Sequence, residues 1–221
     1  MSLTPIARIL ACALVGSVLA LPAAAQAPST HQHGFTDAEK WSRVFDDPQR
    51  DSWQKPRQVI EALALKSDAQ VADIGAGTGY FAVRLASVLP KGRVYAVDIE
   101  PGMVNYLGKR AEREKLANLV ALKGDAEGVR LPEKVDLALV VDTYHHIEER
   151  ERYFEKLKRS LKPGGRVAII DFRLEARAGP PKHTRIAPER VKSELAAAGY
   201  TLEQEHGFLP EQYFLIFSAR D

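Results

Sequence analysis

The run Val71-Ala72-Asp73-Ile74-Gly75-Ala76-Gly77-Thr78-Gly79-Tyr80-Phe81 constrains this chain more than any other segment. An apolar stretch carries an acid near its end and passes at once into three alternating glycines, the pattern of a strand that turns into a helix around a ligand. Glycine is needed where the backbone must take φ > 0 or lie against a ligand with no Cβ between them. A helix starting there aims unpaired N–H groups at the same place. The spacing is G-x-G-x-G, whereas a dinucleotide fingerprint runs G-x-G-x-x-G, its last glycine letting helix and strand pack closely.

Arg93-Val94-Tyr95-Ala96-Val97-Asp98 is a second apolar strand ending in an acid. It lies about 20 residues after the glycines, where a nucleotide fold carries its ribose-binding carboxylate. Leu119 to Lys123 leads to Asp125, and Val135 leads to Asp142. Ligands of open parallel sheets bind outside the carboxyl ends of the strands, so Asp73, Asp98, Asp125 and Asp142 would line one rim. Leu161-Lys162-Pro163-Gly164-Gly165 then reads as a turn into a fifth strand, Arg166 to Phe172. These motifs together resemble class I S-adenosylmethionine-dependent methyltransferases of the type 11 and type 25 kind, and the resemblance runs from about Val59 to Arg220.

That resemblance implies an α/β fold, a Rossmann-like doubly wound sheet of seven mostly parallel strands with an antiparallel last strand. It implies S-adenosyl-L-methionine as cofactor, with Asp73, Gly75, Ala76, Gly77 and Gly79 near the methionine part and Asp98 at the ribose. Asp125 would meet the adenine amine, Ile99 and Ala126 would flank the ring, and Asp142 would complete the set.

The pattern agrees with this layout residue by residue. Strands are expected at Gln70 to Ile74, Arg93 to Ile99, Leu119 to Lys123, Val135 to Val141 and Arg166 to Phe172. Helices are expected between them at Tyr80 to Leu89, Gly102 to Leu116 and Glu149 to Leu161, an alternation that predicts a parallel sheet with helices on both faces. A helix over Pro188 to Ala198, stopped by Gly199, and strands at Thr201 to Glu205 and Gln212 to Ala219 finish the chain.

The N-terminal part reads differently. Arg8 precedes an apolar run from Ile9 to Leu21, followed by Pro22-Ala23-Ala24-Ala25-Gln26-Ala27. A charged start, a short apolar centre and small residues at Ala25 and Ala27 predict a secretory signal peptide over 1–27, cleaved after Ala27 and too short for a comfortable membrane span. The expected destination is the periplasm or the exterior, without stable membrane insertion after cleavage, or a membrane anchor if the signal is retained. Cys12 is the only cysteine and would leave with the signal, removing disulfides, thiolate metal sites and cysteine nucleophiles from the mature chain. Residues 28–35 read as a flexible leader. Its His31 and His33 have no further ligand at suitable spacing, and no metal is expected.

One domain is expected over 36–221. In it, Thr36 is the expected N-cap of a helix with Glu39 as capping-box partner and Trp41, Val44 and Phe45 on one face, ended at Asp46-Asp47-Pro48. Residues 36–56 are an expected lid over the cofactor, ahead of a helix from Arg57 to Leu65. Lys and Arg total 31 against 29 Asp and Glu, with signs interspersed, which speaks against a nucleic-acid partner and for a small-molecule methyl acceptor.

Methyl transfer from a sulfonium needs alignment above all, and a base only if the acceptor must lose a proton. Asp142-Thr143-Tyr144-His145-His146 follows the fourth strand and faces the reaction, making His145 and His146 candidate bases. His183, in the loop after the fifth strand, is a third, and His206 reads as surface. Two alternatives share the strand, glycine and acid logic. One is an NAD-dependent oxidoreductase, opposed by the missing third glycine and by the lack of a Tyr-x-x-x-Lys pair. The other is an S-adenosylmethionine-binding protein without catalysis. The motifs name neither the acceptor nor an oligomeric state.

Overall fold

The computed structural model describes residues 37–220; the signal peptide and leader expected over 1–35, and Thr36, lie outside them. Three short helices come first, α1 (Ala38–Phe45), α2 (Arg50–Gln54) and α3 (Pro56–Ala62). Then β1 (Gln70–Ile74), α4 (Tyr80–Val88), β2 (Arg93–Asp98), α5 (Pro101–Arg113), β3 (Leu119–Lys123) and β4 (Val135–Val141) alternate. The chain ends in α6 (Arg150–Leu157), β5 (Leu161–Phe172), α7 (Pro188–Ala197), β6 (Tyr200–His206) and β7 (Gln212–Ala219).

The seven strands form one sheet in the order β3-β2-β1-β4-β5-β7-β6. Pairings among β1 to β5 are parallel, and β7 runs antiparallel to both β5 and β6. The expected fold class is therefore the observed one, with the last strand inserted antiparallel. Strands β1, β2, β4, β5 and β7 are buried along most of their length and read as near-continuous apolar runs, as strands covered by helices do, whereas β3 is half-buried and the edge strand β6 is exposed and polar. Alternate residues feed two cores. Val71, Ala96, Leu137 and Ile170 meet α3, α4 and α5, while Ala72, Val97, Val140 and Ile169 meet α6 and α7.

Three local expectations are corrected. The N-cap of α1 is Asp37 rather than Thr36, and its carboxylate accepts the Lys40 N–H at 3.0 Å. Val44, expected to share a face with Trp41 and Phe45, is 58% exposed, because α1 docks through the sides carrying Ala38, Trp41 and Phe45. The fifth strand starts at Leu161 rather than Arg166: Lys162 to Gly165 are accommodated by a shift of register against β4, between the pairs Val135/Leu161 and Leu137/Arg166.

Candidate active site

Strand order reverses between β1 and β4: β2 and β3 lie to one side and β5, β7 and β6 to the other. In a doubly wound sheet a crevice opens above the carboxyl ends at such a switch point. The glycine loop crosses it. Gly75 (φ +71°), Gly77 (φ +55°) and Gly79 (φ +97°) are all left-handed, and the N–H groups of Gly75 and Ala76 donate to Val97 O of β2 at 2.8 and 3.0 Å. A Cβ on Gly75 would collide with the Thr143 side chain, and one on Gly77 would lie 3.3 Å from Phe45 Cδ2. The loop is thus a backbone cradle held between the β4 loop and the N-terminal helices.

Carboxylates surround the cradle. Asp73, 3% exposed, takes a backbone hydrogen bond from Ala82 in the first turn of α4. Burial pushes its pKa up to about 7, Arg50 opposing the shift and Asp98 adding to it. Asp98 accepts the Gly77 N–H at 2.8 Å and the Glu100 N–H at 2.9 Å, so one carboxylate ties the glycine loop to the start of α5. A carboxylate has about four acceptor sites, which leaves room for two hydroxyl donors. Burial raises its pKa, and those two bonds oppose the rise. Asp142 sits just past β4 at φ +52°, an outlier of the kind that collects at functional sites. Gln212 Nε2 donates to its Oδ1, and Arg50 Nη2 lies 3.4 Å from its Oδ2. Burial raises its pKa to about 7, against Arg50 and with Asp171.

Ile99, Asp125 and Ala126 form an exposed margin on the β3 side. It is joined to Asp98 by the Gly124 N–H, which donates to Asp98 O at 2.8 Å. The three therefore lie next to the buried acid in the chain and in the fold.

The histidines separate. His145 is 6% exposed in the 3-10 turn Tyr144–His146, with Nδ1 2.9 and 3.0 Å from the Asp171 carboxylate oxygens and its own backbone N–H donating to the same group at 3.1 Å. Burial lowers its proton affinity, but the bond and charge of Asp171, with the charge of Asp142, outweigh that and raise the pKa. His146 is exposed and packs its ring against His145 at a centroid distance of 4.1 Å. His183 lies exposed in the separate turn Lys182–Thr184. His206, read as surface, is half-buried, its ring 4.8 Å from that of Phe214.

Residues 37–56 pack onto this crevice. Arg50 reaches Gln54 Oε1 (3.0 Å) and Phe45 O (2.9 Å), Gln54 Nε2 donates to Gln212 Oε1 (2.6 Å), and Asp46 pairs with Arg110 of α5 (2.8 Å). Arg50 and Arg84 each lie 4.0 Å from the Tyr80 ring centroid, Tyr80 donates to Asp51 (2.5 Å), and Trp53 meets Phe172 at 5.7 Å. Sequence reading passed over Arg50, Gln54, Asp171 and Gln212. Asp171 carries the signal that singled out four other acids, a place at the end of an apolar strand. The others are set by contacts across the fold that one sequence does not display.

A family model described as methyltransferase domain matches residues 65–206. Malonyl-[acyl-carrier protein] O-methyltransferase of Methylococcus capsulatus is 34% identical over 145 residues, 60% of this chain and 52% of that one. Erythromycin 3''-O-methyltransferase of Saccharopolyspora erythraea is 31% identical over 62% of this chain and 46% of that one. The chain thus spans about half the length of these curated relatives. The crystal structure of a SAM-dependent methyltransferase from Aquifex aeolicus superposes with a TM-score of 0.77 at 30% identity, covering 82% of this chain and 98% of that one. The cradle and its flanking carboxylates suit a nucleoside with an amino-acid end, and the chain belongs to the methyltransferase-domain family that uses S-adenosylmethionine.

Proposed function

We propose that this protein transfers a methyl group from S-adenosylmethionine to a hydroxyl of a small-molecule acceptor, with His145 as general base. The observation that carries the acceptor class is the buried His145–Asp171 pair beside the switch-point crevice. An amine needs no base to remove a proton beforehand, whereas a hydroxyl does. Both curated relatives named above are O-methyltransferases, which agrees with an oxygen acceptor.

Asp73 would hold the ammonium of the methionine part, Gly75, Ala76, Gly77 and Gly79 would let it lie against the backbone, and Asp98 would accept from the ribose hydroxyls. Asp125 with Ile99 and Ala126 would serve the adenine, and Asp142 would face the methionine end. The bound cofactor supplies a methyl group on a sulfonium, open to in-line displacement. Asp171 takes the Nδ1–H of neutral His145, leaving Nε2 to receive the acceptor's proton, and the resulting imidazolium stays paired with the carboxylate. His146 and His183, both exposed, would border the acceptor. Residues 37–56 act as a lid: Phe45 over Gly77 and Trp53 against Phe172 keep water off the crevice. Alignment of the reactants supplies about 7 to 11 kcal/mol of the barrier reduction.

Calorimetric titration with S-adenosylmethionine, S-adenosylhomocysteine and NAD tests the cofactor, and transfer of labelled methyl to a panel of alcohols, phenols and amines tests the acceptor. Tight binding of the first two ligands alone and turnover with hydroxyl acceptors are expected. NAD binding would turn the assignment to an oxidoreductase, and binding without turnover on any acceptor would leave a non-catalytic protein. We further hold that residues 1–27 direct export. Protein recovered from the periplasm should then begin at Pro28 by intact mass, and full-length protein confined to the cytosol would refute this.

A further inference from the structure

Past the end of β5 the chain enters a loop, 173–185, whose charge is opposite to that of the acid rim: Arg173, Arg177, Lys182 and Arg185 stand against Glu175 alone. Arg185 shapes it. Its guanidinium donates to the carbonyls of Leu174 (3.1 Å), Ala176 (2.6 Å), Ala178 (3.2 Å) and Pro180 (2.8 Å), closing the loop around one side chain. Gly179, at φ +103°, lies so close to the Phe172 ring that a Cβ there would collide with it. The loop is thus shaped by its own contacts before any ligand arrives, which lowers the ordering cost of binding. Arg173 extends the ladder of β5 by one pair, its N–H donating to Glu211 O at 3.0 Å. Side chains two apart on a strand share a face and are spaced about 7 Å along it, so Arg173 follows one pleat outward from Asp171, the residue that holds His145. There it lines a cavity of about 300 Å³ with Arg177, Glu175, Ala176, Pro210 and Glu211.

Among the described residues, the guanidinium groups of Arg173 and Arg177 have no hydrogen bond or ion pair. Glu211 is committed to the backbone instead, its Oε2 accepting the Arg177 N–H at 2.7 Å, and Glu175 is exposed to solvent. We infer that this cavity binds an oxyanion of the acceptor, a carboxylate or a phosphate, through Arg173 and Arg177, so that the acceptor is an acidic hydroxyl compound. The inference deepens the O-methyl reading above and rests on it. A guanidinium fork matches either oxyanion with two parallel N–H bonds. An acceptor with its hydroxyl at His145 has its anionic end among cations, away from Asp73, Asp98 and Asp142.

The test compares ligands that differ in charge, read by calorimetry on the protein saturated with S-adenosylhomocysteine. The probes are para-hydroxyphenylpropionate, its uncharged amide, and the phosphate ester of para-hydroxyphenylethanol. The parent protein should bind the carboxylate or the phosphate at least about 10-fold more tightly than the amide, the lower end of the range for hydrogen bonds to charged groups. Whichever anion leads names the group. The double variant Arg173→Gln, Arg177→Gln should bind the acids and the amide alike. No binding of either anion, an amide that binds as well as the acids, or a preference that survives in the double variant would overturn the inference. Should the double variant not fold by thermal melting, Arg177→Gln alone changes an exposed residue and should lose part of the preference; an undiminished preference there would overturn the inference as well. A parent that does not bind S-adenosylhomocysteine removes the cofactor reading and this inference with it. A charge preference combined with methyl transfer to amines alone supports the anion site and removes the hydroxyl reading.

Discussion

His145 presents one ring nitrogen to a buried carboxylate, and this fixes how its proton affinity responds to pH. Burial alone would depress the pKa, yet Asp171 and Asp142 more than compensate, so the imidazole gives up its proton only above the usual histidine range. A base must be neutral to act. The acid limb of kcat/KM should therefore lie above about 6.5, the ordinary histidine value. Asp171→Asn removes the charge that raises it, so the limb should move to lower pH while kcat falls. His145→Ala should cost about 10²- to 10⁴-fold in kcat with cofactor affinity unchanged. A limb that stays in place in Asp171→Asn would sink the pairing. Asp98→Ala removes two backbone bonds as well as the candidate ribose ligand, so its loss of affinity should come with a lower melting temperature. What could be read at this scale were residues whose role is local, such as the glycines that need φ > 0 and the acids that end apolar strands. Arg50, 92 residues from Asp142, and Gln54, 158 from Gln212, have roles made only by folding.

The turn Tyr144–His146 is three residues long and cannot set its own orientation. It is pinned from α7. Tyr144 donates to Glu194 Oε2 at 2.6 Å, Arg150 of α6 grips both Glu194 oxygens at 2.7 and 3.0 Å, and Arg190 adds a bond at 2.8 Å. Burial works against ionisation of Glu194, but the bonds from Arg150, Tyr144 and Arg190 win and bring its pKa down to about 2. Its contribution to stability is therefore complete above the unfolded glutamate value of about 4.3 and fades as pH falls towards 2. Glu194→Ala strands Tyr144 and Arg150 and should cost about 2 to 4 kcal/mol in urea unfolding, with a larger fractional loss of kcat than of cofactor affinity. An unchanged midpoint would refute the pinning role. Among the elements, the buried strands were legible because their apolar runs are short, rich in Val and Ile and bounded by turn residues, which separates them from buried helices. The one-and-a-half-turn helix α2 was not, since Arg50–Gln54 is too short for a periodic signal, and the start of β5 was hidden by Pro163-Gly164-Gly165, which reads as a plain turn.

Over the whole molecule, the open ends of the parallel strands gather acids faster than they gather counter-charges, and this sets a pH dependence opposite to that of ordinary salt-bridged carboxylates. Asp73 has a folded pKa near 7 against about 3.9 when unfolded, so between those values the folded protein binds the extra proton. Stability then falls as pH rises, by about 1.4 kcal/mol per unit while the group titrates. Asp142 acts in the same direction and by less, because its side chain keeps 23% of its surface in solvent. His145, raised above the unfolded histidine value, contributes stability that is lost as pH climbs past its folded pKa, so it does not cancel the trend. Glu194 titrates well below this window. The free protein should accordingly lose stability from pH 5 to 7.5 in urea titrations. In the proposed binding mode the ammonium of S-adenosylhomocysteine would favour the ionised Asp73, so the ligand should bind more tightly as pH rises through 7 and release a proton, detectable as a binding heat that varies with the buffer's ionisation enthalpy. Stability that is flat or rising over that interval, or a binding heat independent of buffer, would mean that Asp73 is already ionised in the free protein and that the acid rim is solvated enough to need no ligand to complete it.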